Sequence, residues 1–167
     1  HDVTEVQTIL TDIISADRRA GEVIERLRAL LKRGQATLTS LPLNQVIEEV
    51  LHLIRGDLIA RGITVVCELA PGLPPVAGDR VQLQQLLLNL IVNATDAMDG
   101  LPEIGRVVTI RTASHAGAVS FCVSDRGPGV PVESLDRLFE PFWSTKSGGM
   151  GMGLAICRSI AEAHRGS

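Results

Sequence analysis

Apolar residues recur at alternating steps of three and four from Val3 through Val6, Leu10, Ile13, Ala20, Ile24 and Leu27 to Leu31. That spacing predicts one long helix over residues 3–33, interrupted only by Asp17 and closed by Gly34. Ile9, Ala16, Val23 and Leu30 widen the seam on one side, which suits a helix bundle better than a two-stranded coil. A core helix of the same domain is the other reading of this periodicity. A second helix is expected over 43–61, with Val46, Ile47, Val50, Leu51, Ile54 and Leu58 inward, Pro42 before it and Gly62 after it. A third is expected from Asp79 as N-cap, with Gln82 three residues on, to Met98, ending at Gly100.

Between these helices the period drops to two. Leu38 and Thr39 open a short strand, and Ile63 to Leu69 alternates and is β-branched. Pro71, Gly72, Pro74 and Pro75 predict a rigid turn. Val107 to Thr112 and Ala118 to Ser124 predict a hairpin across Ser114-His115-Ala116-Gly117. A Gly/Pro-rich segment then leads to a final helix over about 153–164. Strands and helices are mixed with an antiparallel component. The pattern therefore predicts an α+β layer fold, residues 37–167, behind a helical leader, residues 1–36.

Composition narrows the function more than the fold. The chain is 45% hydrophobic and 21% charged over 167 residues, enough for one packed domain and too apolar for disorder. A net charge of −3 argues against a broad nucleic-acid surface, and the four aromatic residues, Phe121, Phe139, Phe142 and Trp143, are too clustered to stack single strands. Cys67, Cys122 and Cys157 are odd in number and far apart, which suggests neither a disulfide framework nor a zinc site. A reducing, cytoplasmic setting is expected. No apolar run approaches the ~20 residues of a membrane span, so no direct membrane contact is expected from this chain.

The third helix carries the first chemical signal. From Val81 to Thr95 it has no charged residue, yet Gln82, Gln85, Asn89, Asn93 and Asp96 form one stripe, with Leu83, Leu87, Leu90, Ala94 and Ala97 opposite. Buried amides need partners, and Asn is a mediocre helix former. A ligand pocket beside the stripe accounts for both; bonds to neighbouring loops are the plainer alternative. Neutral oxygens also suit a magnesium ion already held by phosphates, because they complete its shell without adding repulsion.

Two glycine segments follow. Asp125-Arg126-Gly127-Pro128-Gly129 comes directly after the apolar strand. Its carboxylate can accept from the exocyclic amine of a flat heterocycle, while glycine lets backbone approach the ring. Alone, the segment also reads as an ordinary Asp-Gly turn. Gly148-Gly149-Met150-Gly151-Met152-Gly153-Leu154 opens the last helix, where exposed N–H groups and the helix dipole favour an anion. Lys146 just upstream can add a mobile positive charge near a terminal phosphate. A dinucleotide-binding turn would need a strand before the glycines, and Glu140 to Lys146 shows none.

Taken in order, Asn89-Leu90-Ile91-Val92-Asn93-Ala94, Asp125 to Gly129, Phe139-Glu140-Pro141-Phe142 and Gly149 to Leu154 resemble the N, first glycine, F and second glycine boxes of the ATP-binding catalytic domain of bacterial sensor histidine kinases. These belong to the superfamily of gyrase B, MutL and a heat-shock chaperone. The resemblance runs from about Leu38 to His164. It implies a two-layer α/β sandwich of the Bergerat type, a mixed sheet with three helices, holding ATP and Mg2+ under a lid over residues 131–149. It implies Asn93 as metal ligand and Asn89 as a catalytic residue near metal and phosphates. Asp125 would bind adenine, Gly127 and Gly129 would line the base pocket, and Gly149, Gly151, Gly153 and Leu154 would hold the phosphate end. Lys146 is implied as a second catalytic, phosphate-binding residue. The leader helix resembles the second helix of the kinases' dimerisation hairpin, which implies a homodimer through a helical bundle. A response-regulator receiver domain is the implied protein partner, and the resemblance is compatible with a parent anchored to the inner membrane.

The sequence departs from that pattern in three ways. None of His1, His52, His115 or His164 matches a phosphoacceptor, so the acceptor is expected outside this chain. The family continues into further sheet strands where this sequence stops, so C-terminal strands are expected to be missing. Met150 and Met152 replace commoner Thr and Leu, which backbone-mediated binding tolerates. Two other readings stand beside the kinase. An ATP hydrolase of the superfamily would carry a water-activating Glu where this chain has Asn89, and an amide takes no proton at neutral pH. The third reading is a non-catalytic, nucleotide-dependent dimerisation module.

Overall fold

The structure, a computed structural model, describes residues 38–146 and 149–166. The chain divides into two units, residues 1–35 and 36–167, and the described residues belong to the second. The leader helix expected over 3–33, and the bundle seam with it, lie outside the described residues.

Along the described residues the order is β1 (Thr39–Leu41), α1 (Leu43–Ala60), β2 (Thr64–Glu68), β3 (Val76–Gly78), α2 (Arg80–Ala97), β4 (Val107–His115), β5 (Ala118–Ser124) and α3 (Gly153–Ala163). Short 3-10 turns occupy Glu103–Gly105 and Val132–Arg137. β2, β4 and β5 form a mixed sheet, with β2 parallel and β5 antiparallel to the central β4. β1 and β3 pair antiparallel as a separate ribbon. Val108, Ile110 and Thr112 on β4 are buried, while Arg111 and Ala113, which alternate with them, are exposed, so the helices cover one face of the sheet. This is the expected α+β layer arrangement.

Local chemistry sets the boundaries. α1 stops where Gly62 adopts φ +64°, and the N–H groups of Gly62 and Ile63 donate to Ile59 and Leu58 carbonyls at 3.0 and 2.9 Å. That pair of bonds is a Schellman cap. The hairpin is tighter than the four-residue link expected from sequence. β4 runs on to His115, and Ala116 and Gly117 turn the chain with φ of +50° and +81°, the positive pair a two-residue turn demands. β3 has no sequence counterpart, because three residues are too few to show alternation.

The capping box expected at α2 is half formed. Asp79 Oδ1 accepts from the Gln82 N–H at 3.1 Å, but the Asp79 N–H donates to His164 Nε2 at 2.9 Å. His164 Nδ1 faces the Ile160 carbonyl at 2.8 Å, so the ring stitches the end of α3 to the start of α2. Displaced from the box, Gln82 Oε1 is left buried without a partner. Arg80 NH1 meets both Glu49 oxygens at 2.7 Å and ties the start of α2 to α1.

The core has two parts that share α2. Leu83, Leu87, Ile91 and Ala94 pack with α1 and β4, whereas Leu86 packs with Met152, Ile156, Cys157 and Ile160 around α3. The apolar side expected for α2 is therefore corrected: Leu86 and Ile91 are buried, while Leu90 is only partly buried against the α3 cluster. A helix wedged between two others buries more than one stripe, which a single-face reading does not anticipate.

Candidate functional site

Asn89, Asn93 and Asp96 fall on one side of α2, and loops from two other places in the chain close on that side. Gly153, the first residue of α3, sits against Asn93: a Cβ there would lie 3.4 Å from Asn93 Nδ2. Gly127 sits against the next turn of α2, where a Cβ would lie 2.9 Å from the Ala97 carbonyl oxygen and 3.0 Å from the Ala97 Cβ. The two glycine segments, both later in the chain than the Asn89–Ala94 pattern, therefore approach α2 four residues apart.

The start of α3 is open for an anion. Its N-cap, Met152, offers no side-chain bond to the first turn, and the Ile156 N–H takes the Met152 carbonyl at 3.0 Å. Among the described residues the N–H groups before Ile156 have no side-chain acceptor; they lie beside an Asn amide, with Lys146 the nearest upstream cation in sequence. Leu154 is half-buried in this first turn. Gly149 packs on the segment before it, where a Cβ would lie 2.5 Å from Ser144 Oγ and 3.2 Å from Lys146 Cβ.

Gly151 holds the turn together. The Phe142 N–H donates to its carbonyl at 3.0 Å, with Phe142 itself at φ +67°. Gly151 has φ +64°, and a Cβ would lie 2.3 Å from the Trp143 carbonyl oxygen. Gly151→Ala therefore meets both a left-handed backbone penalty and a backbone collision. The expected loss is at least ~2 kcal/mol of stability, read as a lower urea midpoint, with weakened binding at the start of α3.

Asp125 is exposed at the end of β5, and its Oδ1 accepts from the Gly127 N–H at 2.8 Å. One carboxylate oxygen thus shapes the loop, which leaves the other as an acceptor for a ligand donor. Gly129 has φ +76° and nothing within 4 Å of where a Cβ would stand. It shapes the loop and is not drawn against α2.

Asn89 lies one turn before Asn93 on α2, where α3 packs against it. Its Nδ2 is buried without a close hydrogen-bond partner and faces the Cys157 thiol, whose pKa is pushed up to about 11 by burial, against the opposing pull of the Asn89 amide. Cys157 Sγ itself donates to the Leu86 carbonyl at 3.7 Å. Asn89 thus straddles the α2–α3 seam with its nitrogen inward.

Lys146 is also not free: its Nζ donates to Asp96 Oδ2 at 3.1 Å, and Asp96 Oδ1 accepts from Arg61 NH1 at 3.0 Å. Sequence reading placed Asp96 on the stripe but gave it no task, and Arg61 carried no local signal. Cation–ring contacts brace the segment before the glycines, with Arg137 over Trp143 at 5.4 Å and Arg158 over Phe139 at 5.8 Å.

Two concavities border α1. One, of about 80 Å3, lies between α1 and α2 by Leu58, Leu88 and Thr95; the other, about 420 Å3, lies along α1 and β2 by His52, Ile59 and Val65. Neither is lined by Asn93, Asp125 or Gly153. His52 faces the second concavity, His115 ends β4, and both His164 nitrogens are engaged, so the described histidines stand apart from those residues.

The residues present suit a nucleoside triphosphate with a divalent ion. A neutral Asn93 amide, an uncapped helix start and a carboxylate for an amine form a matching donor set.

Residues 78–167 match the model of the family described as histidine kinase-, DNA gyrase B- and HSP90-like ATPase. The C4-dicarboxylate transport sensor protein DctS of Rhodobacter capsulatus is 41% identical over 90% of this chain, which covers 23% of DctS. The sensor histidine kinase TmoS of Ectopseudomonas mendocina is 34% identical over 98% of this chain, covering 17% of TmoS. The chain thus spans a quarter or less of these curated relatives. Among solved structures, the nucleotide-free catalytic domain of histidine kinase ThkA aligns with TM-score 0.67 and 33% identity, covering 76% of this chain and 81% of that one. ThkA in complex with the response regulator TrrA aligns with TM-score 0.72 and 27% identity, over 93% of this chain and 44% of that one.

Proposed function

The chain belongs to the histidine kinase-, DNA gyrase B- and HSP90-like ATPase family, as a sensor histidine kinase ATP-binding domain, and from that premise we propose that it binds ATP with Mg2+ and presents the γ-phosphoryl to a histidine outside this chain. The single observation that carries this reading is the seating of the uncapped start of α3 against Asn93, with the Asp125 loop one turn further along the same helix.

In this reading Asp125 accepts from the adenine exocyclic amine with the oxygen that Gly127 leaves unused, and Gly127, seated on Ala97, lines the base pocket with Gly129. The N–H groups at the start of α3, with Gly149, Gly151 and Leu154 around them, hold the phosphates. Asn93 supplies a neutral oxygen to the metal, and Asn89 completes the polar wall beside it. Magnesium, when bound, neutralises charge on the phosphates. Lys146 supplies the cation that meets the terminal phosphate. These residues position the reactants and stabilise charge; they take no proton, and the attacking imidazole needs none removed when neutral. Asn89 in place of a carboxylate disfavours the hydrolase reading, since an amide activates no water.

The whole protein then passes the phosphoryl to an aspartate of a response-regulator receiver domain, a partner suggested by the ThkA–TrrA complex. It acts as a homodimer joined by a helical bundle, in the cytoplasm. No helix among the described residues is long and apolar enough to cross a membrane.

Calorimetric titration of the chain with ATP and a non-hydrolysable analogue, with and without Mg2+, tests this. Binding that strengthens with Mg2+ is expected, without γ-phosphate incorporation until an upstream histidine hairpin is supplied. No binding of either nucleotide sinks the proposal, and acid-labile label on the isolated chain sinks its account of the acceptor.

A further inference from the structure

Lys146 is engaged before any phosphate reaches it. Its ammonium and the Arg61 guanidinium share one carboxylate, Lys146 on Oδ2 of Asp96 at 3.1 Å and Arg61 on Oδ1 at 3.0 Å. Asp96 lies three residues beyond Asn93 on α2, and the start of α3 lies against Asn93. The ammonium is thus parked beside the anion site, on a group other than the one it is proposed to serve.

We infer that Asp96 is a positioning residue that acts through Lys146. It seats the ammonium in the nucleotide-free protein and yields it to the terminal phosphate when ATP binds, while Arg61 keeps Asp96 neutralised after the exchange. This rests on the reading that Lys146 meets the triphosphate.

Three features make the exchange workable. Side chains of Lys146 and Asp96 are 41% and 31% exposed, so the pair is loosely held. A triphosphate carries more charge than a carboxylate and draws the ammonium more strongly. Arg61 bonds a different oxygen, so Lys146 can leave without stranding an unpaired carboxylate beside incoming phosphates. Asp96 and Arg61 should then act on nucleotide affinity with opposite signs. Removing the seat frees Lys146; removing Arg61 leaves Lys146 as the sole cation on Asp96 among the described residues and makes its departure harder.

The test is the affinity of the 167-residue chain for a non-hydrolysable ATP analogue with Mg2+, measured by calorimetry on variants whose thermal melts match the parent. Asp96→Asn is expected to tighten binding ~2- to 5-fold, and Arg61→Ala to weaken it by a similar factor. Both effects should shrink below ~1.5-fold when Lys146→Ala is also present, because both work through the ammonium. Mere relief of repulsion between Asp96 and phosphates would persist in the Lys146→Ala background, and that result overturns the exchange. Weaker binding by Asp96→Asn overturns it as well. Lys146→Ala without any loss of affinity removes the phosphate role of Lys146 and the exchange together. A loss in Lys146→Ala with a silent Asp96→Asn removes the exchange alone.

Discussion

Asparagine at position 125 is expected to lower ATP affinity ~10- to 100-fold and to reverse the preference for adenine over guanine. The substitution is nearly isosteric. Its remaining oxygen can still accept from the Gly127 N–H, a bond Asp125 makes at 2.8 Å, so the loop keeps its shape. The other oxygen becomes an NH2 group. Toward adenine that group is a donor facing a donor, where the carboxylate made a charge-assisted bond. Toward guanine it is a donor facing a carbonyl, which the carboxylate would repel. A purine-binding carboxylate therefore predicts opposite changes for ATP and GTP in the same variant. Titration of both nucleotides against wild type and Asp125→Asn reads this directly. A uniform loss for both would point to a collapsed loop, and no change for either would remove Asp125 from the base site.

That prediction rests on a residue singled out by the order of the four boxes, since its Asp-Gly segment alone reads as an ordinary turn. Much of the remainder is legible from local pattern. α1, α2, α3 and the β4–β5 hairpin come from periodicity and from Gly, Pro and Asp at their ends. The seating of Gly153 on Asn93 agrees with two motifs that periodicity alone could not bring together. What stayed hidden is tertiary. His164 takes the Asp79 N–H that a capping box would have assigned to Gln82, because the end of α3 folds back onto the start of α2. Asn89 turns its nitrogen toward Cys157 because α3 covers that flank of α2. Asp96 and Arg61 lie 35 residues apart, and no local pattern pairs them with each other or with Lys146. Pairings between distant exposed charges leave no periodic trace, whereas a helix face or a turn does.

Asn93→Ala is expected to abolish the contribution of Mg2+ to nucleotide binding and to lower phosphotransfer by more than ~100-fold once a histidine hairpin is supplied. The reasoning starts from what lies around this side chain. Asn93 is half-buried on α2, it touches the first residue of α3 through Gly153, and its nearest stripe partners are Asn89 before it and Asp96 after it. Of these three, Asn89 has its nitrogen turned to the interior and Asp96 already serves two cations. Asn93 is therefore the stripe residue whose amide remains available to the space in front of α3. Truncation to Ala removes that oxygen while leaving helix propensity no worse, since Ala is the better helix former. A stability loss is thus not expected, and urea unfolding provides the control. The signature is selective: ATP without metal should bind the variant about as well as it binds the parent chain, whereas the strengthening by Mg2+ should vanish. Retention of that strengthening would move the metal onto other ligands. Equal losses with and without Mg2+ would show that Asn93 serves the phosphates or the shape of the α3 start, and that the metal is held elsewhere.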